Sequence, residues 1–122
     1  SCELIDDFDL AINIDSLQEM PIEIGNAYLE LISDKAKFFF TKNVMGKYSP
    51  TDIDLVITNQ SQFESAMQMG LMTDKLNLYD TKSRAEAVKI YHKKFCPKEF
   101  SINKTQRGFG QYFPYEFSMF QR

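Results

Sequence analysis

The sequence predicts an α+β domain, a mainly antiparallel sheet with two amphipathic helices packed against it, and three features carry that expectation. Short β-branched and aromatic runs alternate in polarity, as in FDLAINI and DIDLVIT. Two Ser-x-x-Glu capping boxes, Ser61 to Glu64 and Ser83 to Glu86, each open a stretch with apolar residues at helical spacing. A length of 122 residues supplies one core but not two, and no repeat or Gly/Ser-rich linker divides it, so 1–122 reads as a single globular domain.

The first strand is expected from Asp7 to Asp15, where Phe8, Leu10, Ile12 and Ile14 alternate and several aspartates disfavour a helix interior. Gly25-Asn26 reads as a turn, and Ser33-Asp34-Lys35 separates two apolar runs. A hairpin of Ala27 to Ile32 with Ala36 to Lys42 follows, and Asp52 to Thr58 reads as a third strand. Helices are expected at 61–72 and 81–95. The second ends at Cys96-Pro97, because proline disfavours helix in the residue before it. The remainder, with Gly108, Gly110 and Pro114 among aromatics, suits one or two irregular strands.

Composition narrows the function classes. Apolar residues at 43% and charged residues at 25% describe a folded protein rather than a disordered tail. No apolar run reaches the roughly 18 residues needed to cross a bilayer, and no basic start leads into an apolar stretch. The expectation is a soluble, cytoplasmic chain without membrane contact. Cys2 and Cys96 are read as two free thiols, since a domain of this size needs no disulfide. In a secreted eukaryotic chain, Asn59-Gln60-Ser61 and Asn103-Lys104-Thr105 would be glycosylation acceptors.

Charge is unevenly distributed. Residues 1–81 hold 14 acidic and 5 basic side chains, whereas residues 82–122 hold 3 and 9, within a net charge of -3. In the basic part, RGFGQYF (107–113) begins like the RNP1 motif of RNA-recognition domains, but too few residues follow Phe113 to finish that fold. Its Gly-x-Gly lacks both a third glycine and the helix that would receive a pyrophosphate. What remains is nine aromatics from Tyr91 onward among His92, Lys93, Lys94, Lys98, Lys104 and Arg107. Aromatics and cations together are the mixture single-strand binders use.

No zinc spacing, nucleophile elbow or phosphate-binding loop appears, and no metal or cofactor is expected. The acidic side chains Asp6, Asp7, Asp9 and Asp15, extended by Glu19, Glu23, Asp52 and Asp54, suggest a negative surface that steers the protein onto a basic partner. The leading expectation is a non-enzymatic inhibitor, analogous to bacterial immunity proteins that neutralise basic nuclease toxins. The alternative is a small metal-independent RNase or RNA-binding toxin domain, with His92 or Tyr112 as base or acid and Lys94 and Arg107 as cations.

Overall fold

The computed structural model describes residues 5–50, 56–77, 80–109 and 114–122. The elements run β1 (Phe8–Ile14), a 3-10 turn at Ser16–Gln18, α1 (Ile22–Lys35), β2 (Ala36–Val44), α2 (Gln60–Gln68), α3 (Thr81–Phe95), β3 (Ser101–Phe109) and β4 (Pro114–Gln121). The fold is α+β, with one four-stranded sheet in the order β1-β2-β4-β3. Strands β2/β4 and β3/β4 pair antiparallel, while β1 and β2 pair parallel.

That parallel pair follows from a correction to the expected hairpin. Residues 22–35 form a helix, since Gly25, Leu29 and Ile32 fall on one buried stripe, with Glu23 in the first turn and Lys35 in the last. Gly25 marks no turn: a Cβ there would lie 3.1 Å from Leu71 Cδ2, so glycine serves close packing. A helix between β1 and β2 carries the chain back to the start of the sheet, so the second strand runs parallel to the first.

The other expected elements divide. β1 lies within its expected bounds, and α3 matches the expected helix, capped by Asp80, whose side chain accepts from Lys82 N at 3.0 Å. Ser83 is not that cap; its hydroxyl accepts from Asn77 N instead. α2 starts one residue earlier than expected and ends at Gln68, with Asn59 rather than Ser61 as the cap, accepting from Gln62 N. Three helices therefore stand where two were expected. Of the expected strand at 52–58, residues 56–58 are irregular and the rest lies outside the described residues. Cys96 is a free thiol, and Cys2 lies outside the described residues.

The core forms against one face of the sheet. Phe39 and Phe120, cross-strand partners, stack 6.1 Å apart, and Tyr91 stacks on Phe95 at 4.1 Å. Leu29 and Ile32 of α1 join the same cluster as these rings. Each fully buried aromatic contributes about 2–3 kcal/mol of transfer free energy. Tyr91, Phe95, Phe100 and Phe120 are thus core residues, which accounts for much of the aromatic content after residue 90. Among the described residues no helix is long and apolar enough to cross a membrane.

Candidate functional site

Because β1 and β2 run parallel, their carboxyl ends emerge side by side. At the end of β1 the chain turns through Asp15, which holds φ 61, the left-handed region that costs a side-chain-bearing residue energy. Two hydrogen bonds fix the turn: Asp15 N donates to Lys42 O at 2.8 Å, and Asn13 Nδ2 donates to Ser16 Oγ at 2.5 Å. Buried Gln18 then clamps Met72, donating Nε2 to its carbonyl at 3.1 Å and accepting from its N–H at 2.8 Å.

At the end of β2, Gly46 lets residues 74–76 approach, since a Cβ there would stand 2.9 Å from Asp74 O. Lys47 N donates to Asp74 O at 2.9 Å, and Lys47 O accepts from Leu76 N at 2.5 Å. Both backbone groups of Lys47 are therefore held, and its side chain starts from a fixed origin.

Between these ends and α2 opens a cleft of about 540 Å³. Asp15, Glu19, Lys47, Tyr48 and Tyr115 line it alongside apolar Phe63, Met67 and Met69. Asp15 Oδ1 is buried and has no hydrogen-bond partner among the described residues; Oδ2 stands 3.8 Å from Lys42 Nζ, which lies 4.5 Å over the Tyr115 ring. Lys47 Nζ donates to Ala66 O at 3.0 Å, and burial pushes this ammonium below its ordinary range. Burial pushes the phenols of Tyr48 and Tyr115 up; Tyr115 adds to the shift at Tyr48, and Asp15 and Glu19 add to it at Tyr115. Both phenols keep their protons at neutral pH and offer O–H donors. The cleft thus combines an acceptor, hydroxyl donors, an amine and an apolar wall.

The acidic residues are split by the fold. Asp6, Asp7 and Asp9 lie at the start of β1 and Asp15 at its far end, so the first three share no surface with the cleft. Asp7 pairs with Lys35 at 3.7 Å and Asp9 with Lys37 at 2.7 Å. The Lys37 ammonium beside Asp9 holds its carboxyl below the usual carboxylate range. Asp52 and Asp54 lie outside the described residues.

The basic set is also divided. His92 Nε2 is 2.8 Å from Glu116 Oε1 and 3.3 Å from Thr105 Oγ1, turned toward the sheet. Lys94 instead lines a separate groove beside α1, with Glu30, Asp34 and Lys98. Arg107 has its backbone opposite Glu116 in β3; its side chain, like Tyr112, lies outside the described residues. Glu116 is fully buried, its Oε2 without a partner among the described residues, and Asn43 donates to Asn13 Oδ1 at 2.9 Å and Thr41 Oγ1 at 2.7 Å. Sequence reasoning missed Lys47, Tyr48, Tyr115 and Glu116. Gly46 beside Lys47 was a usable signal for a close approach; nothing local marks the others. Among the described residues no three His, Cys, Asp or Glu side chains gather to hold a metal.

No protein family matches the sequence, and no curated protein matches it. Among solved structures the chain is similar to a magnesium protoporphyrin IX methyltransferase from Synechocystis PCC 6803, crystallised with bound SAH, at 13% identity and a TM-score of 0.48. The match covers 99% of this chain and 48% of that one, so the chain spans about half the length of that enzyme.

Proposed function

We propose that the protein is a small-molecule-binding α+β domain that takes a hydroxyl-bearing ligand in the cleft at the carboxyl ends of β1 and β2. The observation that carries this reading is Asp15. Its backbone is left-handed, and one carboxylate oxygen is buried without a donor among the described residues. A buried unmade hydrogen bond costs about 1–3 kcal/mol, and unsatisfied or strained groups of this kind concentrate where a ligand completes them. Turning the Asp15 side chain, which is 40% exposed as a whole, would bring Oδ1 to the cleft, where a ligand hydroxyl supplies the missing partner. The Tyr48 and Tyr115 phenols donate to ligand oxygens, while Phe63 and Met67 cover its carbon face. The test is a titration of the labelled protein with small polyols and aldoses, followed by amide chemical shifts. Shifts should cluster at Glu19, Gly46 and Lys47 and be lost in Asp15→Asn; a panel that moves nothing at the strand ends removes the reading.

A second proposal, the protein-binding inhibitor, draws on the exposure of Asp6, Asp7 and Asp9 at one end of β1. The lysines paired with Asp7 and Asp9 reduce the field there, so the cleft is the better supported site. Capture of a basic protein at low salt, released by added salt and weakened by Asp6→Lys, would support the inhibitor; capture unaffected by either would remove it. The RNase alternative draws its support from the exposed lysines of α3 and the loop after it, since His92 and Lys94 do not line one site.

A further inference from the structure

We propose that Lys47 is a reactive amine that condenses with a carbonyl compound in the cleft, and that the compound is an α-hydroxy aldehyde or ketone. The inference rests on the cleft reading above for the hydroxyl and adds a covalent step to it.

The geometry starts from isolation. Lys47 is 9% exposed, yet among the described residues no carboxylate lies within 4 Å of its Nζ, which has the Ala66 carbonyl as its partner. A buried ammonium normally carries a counter-charge, because desolvation without one favours the neutral amine. The neutral amine is the nucleophile, and a lysine desolvated in an apolar pocket is a recurring way to obtain it at neutral pH. The apolar wall is present in Phe63, Met67 and Met69. Gly46 and the two backbone hydrogen bonds to residues 74–76 fix where the side chain begins.

The remaining groups supply what such a condensation needs. The Nζ lone pair bonds to the carbonyl carbon, and the carbonyl oxygen collects both N–H protons and departs as water, leaving a C=N bond. Phenolic O–H groups at Tyr48 and Tyr115, protonated at neutral pH as any phenol is, hydrogen-bond the oxygen as negative charge develops. Asp15, its partly exposed side chain turned so that Oδ1 meets the cleft, accepts from the hydroxyl next to the carbonyl and so sets which face the amine meets. No oxidant, reductant or metal is required. A lysine that merely closed the end of α2 through the Ala66 carbonyl would remain an ammonium and be protected from electrophiles.

The experiment uses glycolaldehyde with cyanoborohydride at neutral pH, the hydride trapping the imine as a secondary amine, with peptide mass mapping over time. Lys47 should be labelled about tenfold faster than exposed Lys82 and Lys93, as for an activated amine against ordinary ones. Lys47→Arg, which keeps a cation for the Ala66 carbonyl, should leave only the slow surface labelling. Labelling of Lys47 no faster than of Lys82 overturns the inference, while polyol-induced shifts at the strand ends would still support the cleft reading. Acetaldehyde separates the two in the other direction. If it labels Lys47 as fast as glycolaldehyde does, and Asp15→Asn changes neither rate, the reactive amine stands and the hydroxyl contact at Asp15 falls.

Discussion

At Asp15 a left-handed backbone coincides with a carboxylate oxygen that has no partner among the described residues, and both cost stability. Glycine accepts that φ freely. Asp15→Gly should therefore leave stability unchanged or raise it by about 1 kcal/mol, while ligand-induced shifts in the cleft disappear. Urea melts alongside the polyol titration check both halves; a loss of more than about 1 kcal/mol would make Asp15 a structural residue. Tyr91 gives a pH prediction. Its phenol is fully buried, pushed up mainly by burial despite the Thr41 contact at 3.1 Å. The folded state keeps this proton after the unfolded chain has lost its own, so stability is intact below the ordinary tyrosine value of 10.0 and falls as pH rises above it. Tyr91→Phe should cost about 1 kcal/mol at pH 7 through the lost hydrogen bond and flatten the alkaline decline by about 1.4 kcal/mol per pH unit. Denaturant melts of both proteins between pH 9 and 11 measure the difference.

Local signals at the level of elements were legible where one segment carried its own instructions. The alternation of β1 and the apolar stripe of α3 were readable because hydrophobic period acts over a few residues, whereas the expected Ser83 cap gives way to Asp80. The segment at 22–35 was not, because Gly25-Asn26 mimics a turn and its true role is contact with Leu71, more than forty residues away. Gly70 shows the same long reach. It has φ +89, its N–H donates to Met20 O at 2.7 Å, and a Cβ would lie 2.5 Å from Gln18 Oε1. Gly70→Ala should destabilise by about 2–4 kcal/mol, combining backbone strain with disruption of the Gln18 clamp on Met72. A thermal melt reads it, and a change under 1 kcal/mol would mean the clamp yields. Because that clamp borders the cleft, the same variant should weaken polyol binding.

Over the whole molecule, α1 and α3 both pack into the core on the Phe39 side of the sheet, and the opposite side of β1 remains open. Leu10, Ile12 and Ile14 are 45%, 62% and 52% exposed on that one side. An apolar stripe of this kind drives weak self-association and dye binding. Ile12→Lys with Ile14→Lys should change stability by less than about 0.5 kcal/mol each while lowering hydrophobic-dye fluorescence and light scattering at high concentration. Unfolding of the double variant would show that the stripe belongs to the core.

The amino-acid sequence by itself determined the fold class, β1, the helix at 81–95, and that residues after 90 supply aromatic and basic side chains. Those properties depend on composition and on periodicity within a dozen residues, which a linear reading contains. Only the tertiary structure decided that β1 and β2 run parallel, that Asp7 and Asp9 meet lysines, and that His92 turns onto buried Glu116. It also decided the cleft. Asp15, Lys47 and Tyr115 lie up to a hundred positions apart in the chain and converge because strand pairing brings the end of β1, the end of β2 and the start of β4 together. Register between distant strands is set by the burial of one whole sheet face, a cooperative property that no local run of residues carries.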